Sequence, residues 1–178
     1  MARTTEQLQG ASPASFSLDG QVALITGATK GIGQGIAIAY AAAGADVVLT
    51  GRDAAGAQQT QEAVQHYGRR CAFVPCDLSN EDDVASLFER ALGQFGALHV
   101  LVNNAGIGPE TDFLDIDLEE WRLCQVINLE APFQLAQAAA RHFATQGAGT
   151  IINVSSINGL RGAPREAHYA AAKHGIIG

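Results

Sequence analysis

The sequence predicts an α/β domain built on a doubly wound parallel sheet. Two patterns carry this. From Gln21 onward, short β-branched runs alternate with longer alanine-rich stretches of helical period, which is the mark of βαβ units. The strand-like runs are nearly all apolar, as expected of strands covered on both faces.

The expected strands are Val22–Thr26, Asp46–Thr50, Cys71–Pro75, His99–Val102 and Thr150–Val154. Between them, helices are expected over Gln34–Ala43, Ala54–Tyr67 and Glu81–Phe95, closed by Gly44, Gly68 and Gly96, where a left-handed cap belongs. A longer helical stretch runs from about Leu118 to Thr145, and Pro132 marks a kink or break in it. A last helix starts near Glu166 and runs to Gly178, where the text stops on an apolar run without a cap. The chain therefore reads as C-terminally truncated, and an open sheet lacking its continuation should expose apolar surface.

With 178 residues, 47% of them hydrophobic, the chain can bury one sizeable core. The expected organisation is a polar, disordered leader over residues 1–15 and a single domain over 16–178. A net charge of −7 argues against nucleic acid, whose binders need a basic face. No run reaches the roughly 18 apolar residues of a membrane span, and the leader lacks a signal peptide's apolar stretch. The three cysteines (Cys71, Cys76, Cys124) form no CxxC pair, so buried free thiols in a reducing cytoplasm are expected and no metal site is.

Directly after the first strand, Thr26-Gly-Ala-Thr-Lys-Gly-Ile-Gly33 leads straight into a helix. A strand, glycine loop and helix in that order make a phosphate cradle, because the helix N-terminus supplies free N–H groups and partial positive charge. Gly27 allows the tight turn, Gly31 lets backbone approach a pyrophosphate, and Gly33 permits close helix-to-strand packing. Thr29, Lys30 and Ile32 complete the candidate contacts.

An acidic residue at the end of the second strand would bind the adenosine ribose 2′-OH and repel a 2′-phosphate. Gly51 stands there instead, and Arg52 and Lys30 suit a phosphate, so NADP is favoured, with NAD as the alternative. The competing reading makes Arg52 a solvated charge and Asp53 a helix N-cap. Asp77 is a candidate acceptor for the adenine amino group, or a cap for the following helix, and Leu78 is a candidate contact to the ring. Asn103-Asn104-Ala105-Gly106 ends the fourth strand beside the glycine loop, so Asn104, Ala105 and Gly106 read as a cofactor wall or as a plain turn.

Five motifs together resemble the short-chain dehydrogenase/reductase family from Phe16 to Gly178: the TGxxxGxG loop, the run at 103–106, Asn128 in Val126-Ile-Asn-Leu129, Ser156 in Val154-Ser-Ser156, and Tyr169-Ala-Ala-Ala-Lys173. The resemblance implies a Rossmann-type sheet in the order 3-2-1-4-5, with the full fold's last strands missing. It implies catalytic roles for Asn128, Ser156, Tyr169 and Lys173, with Tyr169 and Lys173 also touching the cofactor. Of the adjacent serines, Ser156 stands thirteen residues before Tyr169, the family's usual spacing.

The chemistry supports that assignment independently. Carbonyl reduction needs a proton for the developing alkoxide, and a phenol, whose ordinary pKa is about 10, is a suitable acid only when a neighbour favours its anion. Lys173 stands at i+4 from Tyr169 on one helix face, and two unit charges about 4 Å apart interact by roughly 4 kcal/mol at an effective dielectric near 20. Ser156 would orient the substrate oxygen, and by resemblance Asn128 would hold a relay water while Lys173 grips the nicotinamide ribose. His168 and His174 flank the pair and are expected to line a helix surface. Phe113 and Trp121 lie where family members admit substrate, or in core or interface.

The expected function is hydride transfer between NAD(P) and a small carbonyl or secondary alcohol. Phe16–Gly20 and His142–Gly147 look most like the sugar-acid branch, the 2-deoxygluconate and gluconate dehydrogenases. A 3-oxoacyl-carrier-protein reductase or another sugar dehydrogenase is the rival within the class, and a non-catalytic nucleotide-binding module or inactive fragment the rival outside it. Family members are commonly homodimers or homotetramers, which the resemblance implies here for the full-length protein.

Overall fold

A computed structural model of the chain describes residues 16–178. The leader expected over residues 1–15 lies outside the described residues. Five strands, β1 (Val22–Thr26), β2 (Asp46–Gly51), β3 (Cys71–Pro75), β4 (Val100–Asn103) and β5 (Thr150–Asn153), form one parallel sheet in the order β3-β2-β1-β4-β5. The helices are α1 (Gly31–Ala42), α2 (Ala54–Gln65), α3 (Glu81–Phe95), α4 (Leu118–Gln125), α5 (Ala131–Gln146) and α6 (Ala167–Ile177).

Alternation along the central strands divides the core in two. Leu24, Val48 and Leu101 face one layer with Leu87 and Phe88 of α3 and Leu135 and Ala139 of α5. Ala23, Ile25, Val47, Leu49 and Val102 face the other, with Ala37 and Ala41 of α1 and Ala57 and Val64 of α2. β1 and β2 are buried along almost their whole length because helices cover both faces. The edge strands depart from the expected full cover: β3 is mostly half-buried and β5 largely exposed. Apolar surface is accordingly open near β5, at Ile152, Ile157, Leu160 and Ile177.

Helix ends follow local chemistry. Asp53 caps α2 by accepting from Gly56 N, Asn80 caps α3 through Asp83 N, and Asp117 caps α4 through Glu120 N. Gly96 ends α3 at φ 74°, the left-handed region that favours glycine. Two helices differ from expectation. α1 starts at Gly31, three residues before Gln34, so the end of the glycine loop is already the helix's first turn. The long helix breaks before Pro132: a π-turn over Val126–Glu130 separates α4 from α5, and Pro132 sits in the first turn of α5. Proline lacks an N–H and its ring crowds the carbonyl four residues back, here that of Asn128, so the backbone widens there.

Cys76 and Cys124 are buried free thiols, whereas Cys71 is only half-buried. Among the described residues there is no metal-ligating cluster of His, Cys, Asp and Glu, and no helix is long and apolar enough to cross a membrane.

Candidate active site

The C-terminal ends of β1, β2, β3 and β4 open into a cleft of about 570 Å³. In strand order it passes Asp77 and Leu78 after β3, Arg52 after β2, the glycine loop after β1, and Asn104 to Ile107 after β4. All twelve candidate cofactor contacts read from these loops line it. Tyr169 and Lys173, also named as cofactor contacts, stand outside it on α6.

The glycine loop is held by its neighbours. Gly27 has φ 65°, and a Cβ there would fall 2.8 Å from the Ala105 Cα. A Cβ on Gly33 would press on the Gly27 carbonyl and fall 2.5 Å from Asn104 Nδ2, so the first turn of α1 sits close against the loop only because that position is bare. Gly31, at φ 58°, faces open space. No side chain caps the N-terminus of α1 and no acidic residue occupies its first turn. Those free N–H groups aimed at an open cleft fit a dinucleotide's pyrophosphate.

Asn104 works as a bracket. Its Nδ2 donates to the Thr26 carbonyl at 2.9 Å and the Gly27 carbonyl at 3.3 Å, while Asn104 N and Ala105 N donate to Thr26 Oγ1, each at 3.0 Å. The amides at 103–104 thus build the wall more than face it; Asn103 Nδ2 donates to the Pro132 carbonyl and to Asn153. Sequence reasoning missed Thr26 and Thr60. Thr60 Oγ1 donates to the Ala28 carbonyl at 3.0 Å and ties the loop to α2. A lone threonine inside a helical stretch gives no signal of such a role.

At the β2 end of the cleft the capping reading of Asp53 holds. Asp53 is the N-cap of α2, its Oδ1 taking Gly56 N at 3.1 Å. Arg52 lines the cleft with a largely exposed side chain, and its Nη1 lies 3.6 Å from Asp77 Oδ2. Asp77 does not cap α3, which Asn80 does; its Oδ1 accepts from Ser79 N and Oγ. Those hydrogen bonds, aided by the Arg52 guanidinium, hold its carboxyl below the ordinary aspartate value.

A second group gathers beyond the β4 end. The π-turn carries Asn128 inward, fully buried, with Nδ2 donating to the Ile107 and Cys124 carbonyls at 2.9 Å and Oδ1 accepting from Ile107 N at 3.2 Å. Lys173 is 4% exposed, and its Nζ donates to the Val154 carbonyl at 2.9 Å. Burial pushes its ammonium below the ordinary lysine value. A Cβ on Gly106 would stand 2.6 Å from Asn128 Oδ1 and 3.6 Å from Lys173 Nζ, so Asn128, Lys173 and Gly106 meet at one point.

Lys173 Nζ, held by the Val154 carbonyl, lies 5.7 Å from the centre of the Tyr169 ring. The ring packs beside Gly108, where a Cβ would lie 3.6 Å from its edge carbons. Ser155 Oγ donates to the Lys173 carbonyl at 3.0 Å, whereas Ser156 Oγ accepts from Asn158 N at 3.2 Å and keeps its own proton free to donate. His174 is exposed as expected, but His168 is fully buried, which corrects its placement on the helix surface. Its ring nitrogen Nε2 reaches Glu120 Oε1 of α4 at 3.3 Å, and that carboxylate is what makes its burial tolerable.

The short chain dehydrogenase family model matches residues 21–178. The chain belongs to the short-chain dehydrogenase family. Over 165 residues it is 39% identical to 2-dehydro-3-deoxy-D-gluconate 5-dehydrogenase of Escherichia coli, covering 92% of this chain and 64% of that relative. It is 37% identical to a 3-oxoacyl-[acyl-carrier-protein] reductase of Synechocystis over 163 residues, covering 91% of this chain and 66% of that one. The chain thus spans just under two thirds of the length of these relatives.

Among solved structures it is similar to a short-chain type dehydrogenase/reductase from Mycobacterium marinum, with a TM-score of 0.86 and 35% identity, covering 93% of this chain and 69% of that one. It is also similar to an NAD+-bound xylitol dehydrogenase, with a TM-score of 0.84 and 29% identity, covering 89% of this chain and 62% of that one. Both structures share the Rossmann-like sheet described above.

Proposed function

We propose that this short-chain dehydrogenase chain carries the cofactor cleft and proton-transfer group of an oxidoreductase acting on a small carbonyl or secondary alcohol. The observation that carries the reading is the meeting of two groups at one sheet edge. The uncapped N-terminus of α1 opens on the cleft, and Asn128, Lys173 and Gly106 converge at its β4 end, with Tyr169 beside them on α6. A nicotinamide bound there supplies or accepts the hydride.

The chain's own residues handle the proton. Tyr169 donates from its hydroxyl to the substrate oxygen when a carbonyl is reduced and takes the proton back when an alcohol is oxidised. Ser156 donates a hydrogen bond to that oxygen, which its free O–H supports and the engaged hydroxyl of Ser155 does not. Lys173, buried and carrying three donors, has one on Val154 and others to offer the cofactor ribose and a relay water. Asn128 fixes the Ile107 backbone beside that route.

NADP is the preferred cofactor on this reading. Gly51 leaves no carboxylate at the end of β2 for the 2′-hydroxyl, and Arg52 and Lys30 line the cleft where a 2′-phosphate would lie. Asp77 tempers this by pairing with Arg52, so NAD stays the alternative. Sugar acids are the favoured substrates, supported by likeness to the gluconate-type relative, with 3-oxoacyl thioesters the rival that the second relative supports. On this reading the protein works in the cytoplasm as a homodimer or homotetramer, and the exposed Leu118, Trp121 and Leu123 of α4 and Phe133 of α5 support the assembly.

The test is Tyr169→Phe, which removes one hydroxyl and keeps the ring. Turnover of the sugar-acid substrate is expected to fall by at least about a hundredfold. Cofactor affinity, read by nicotinamide fluorescence, stays within about threefold of the unsubstituted protein. Undiminished turnover would sink the assignment.

A further inference from the structure

We propose that His168 is a positioning residue: with Glu120, Thr111 and Arg165 it clamps the segment after β4 against the first turn of α6 and so sets where the Tyr169 ring stands. The proposal rests on the reading of Tyr169 as the proton donor. Nothing in that reading uses a buried imidazole, yet His168 is the fully buried neighbour of the tyrosine.

A buried imidazole needs partners for its polar atoms. Nε2 faces Glu120 Oε1 at 3.3 Å, and a carboxylate only accepts, so Nε2 carries the hydrogen. Nδ1 is buried with no hydrogen-bond partner among the described residues. The ring is thus oriented by one bond, to Glu120. The same Oε1 accepts from Thr111 Oγ1 at 2.6 Å, a short bond of the charge-assisted kind. One carboxylate oxygen on α4 therefore joins α6 to the segment between β4 and α4.

The backbone repeats the connection. Thr111 N donates to the Arg165 carbonyl at 2.9 Å, and Gln125 Nε2 donates to the carbonyl of His168 itself at 2.9 Å. Arg165 has φ 64°, the sole positive φ of a non-glycine residue among the described residues. A side chain in that region is strained and persists where surroundings hold it. Here Arg165 Nε lies 3.2 Å from Asp112 Oδ1, Nη1 lies 3.6 Å from Glu110 Oε2, and Nη2 donates to the Glu110 carbonyl.

The residues just before Tyr169 are therefore fastened to residues 110–112, and Gly108 of the same segment lies along the tyrosine ring. Proton transfer demands that the hydroxyl stand within hydrogen-bond reach of the substrate oxygen, and small misplacements are costly.

Three variants of the full chain test this. His168→Phe keeps a flat ring and loses the donor; His168→Gln keeps a donor near the Nε2 position; Glu120→Ala removes the shared acceptor. Amide hydrogen exchange at Thr111 is expected to quicken at least about tenfold in His168→Phe and Glu120→Ala, and to stay near the unsubstituted rate in His168→Gln. With substrate, kcat is expected to drop roughly 10- to 100-fold in the first two, KM and cofactor affinity to change less than about threefold, and His168→Gln to recover most of the loss. Unchanged exchange at Thr111 in His168→Phe would overturn the clamp. Loosened exchange with full kcat would overturn its positioning role. Tyr169→Phe, assayed alongside, separates the two ideas: if it keeps turnover, the proton-donor reading fails while the exchange result still judges the clamp.

Discussion

Lys173 gives up water for one carbonyl, that of Val154, and burial lowers its affinity for a proton. On the proposed reading, this ammonium stabilises the Tyr169 phenolate and hands on a proton, tasks an exposed lysine performs poorly. Asp46 shows the opposite balance. Burial pushes its carboxyl up, but the backbone and side-chain hydrogen bonds from Arg70 and the charges of Arg69 and Arg70 outweigh it, holding it below the ordinary value. A carboxyl so depressed adds stability that is present above its unfolded pKa, about 3.9, and is lost as pH falls through the lower folded value. Asp46→Asn is therefore expected to cost about 2 kcal/mol in urea unfolding near pH 7. The difference should shrink as the pH is lowered toward 2. An equal gap at both pH values would contradict the ion-pair account.

Residue placements were legible where spacing encodes them. Tyr169 and Lys173 at i and i+4 share a face of α6, and the structure places them together. His168 was not legible, because its partner Glu120 lies 48 residues away and a histidine between alanine and tyrosine carries no pattern. The capping alternative for Asp77 failed for a similar reason: an acid after a strand has several local acceptor roles, and Asn80 takes the cap while Ser79 donates to Asp77.

At the scale of elements, the glycine loop and α1 form one device. Because α1 begins at Gly31, its first amides belong to the loop itself, and the absence of a side-chain cap leaves them for a ligand. The strand, loop and helix order made this readable in advance; the early helix start was not, since glycine is a poor helix former and hides the first turn. Gly33→Ala is expected to destabilise the fold by about 1–3 kcal/mol, as its Cβ would press on the Gly27 carbonyl and Asn104. Thermal unfolding checks this, and an unperturbed Tm would refute the packing role. The π-turn was likewise hidden: Pro132 announced a break, but the widened turn that buries Asn128 depends on Ile107, which only the assembled fold brings near.

At the scale of the whole molecule, parallel strands with buried apolar runs fixed the class, and the observed order β3-β2-β1-β4-β5 places four strand ends around one cleft. The exposed face of β5 follows from the same topology, since among the described residues it is an edge of the sheet. The central claim is that this cleft binds a nicotinamide dinucleotide, NADP by preference. Thermal unfolding of the chain alone, with NADP and with NAD tests it most directly. A ligand at a hundred times its dissociation constant adds about 2.7 kcal/mol, equivalent to roughly 5–10 °C for a domain of this size. The account predicts one cooperative transition raised by that amount with NADP and by less with NAD. A cooperative transition that neither cofactor moves would contradict it.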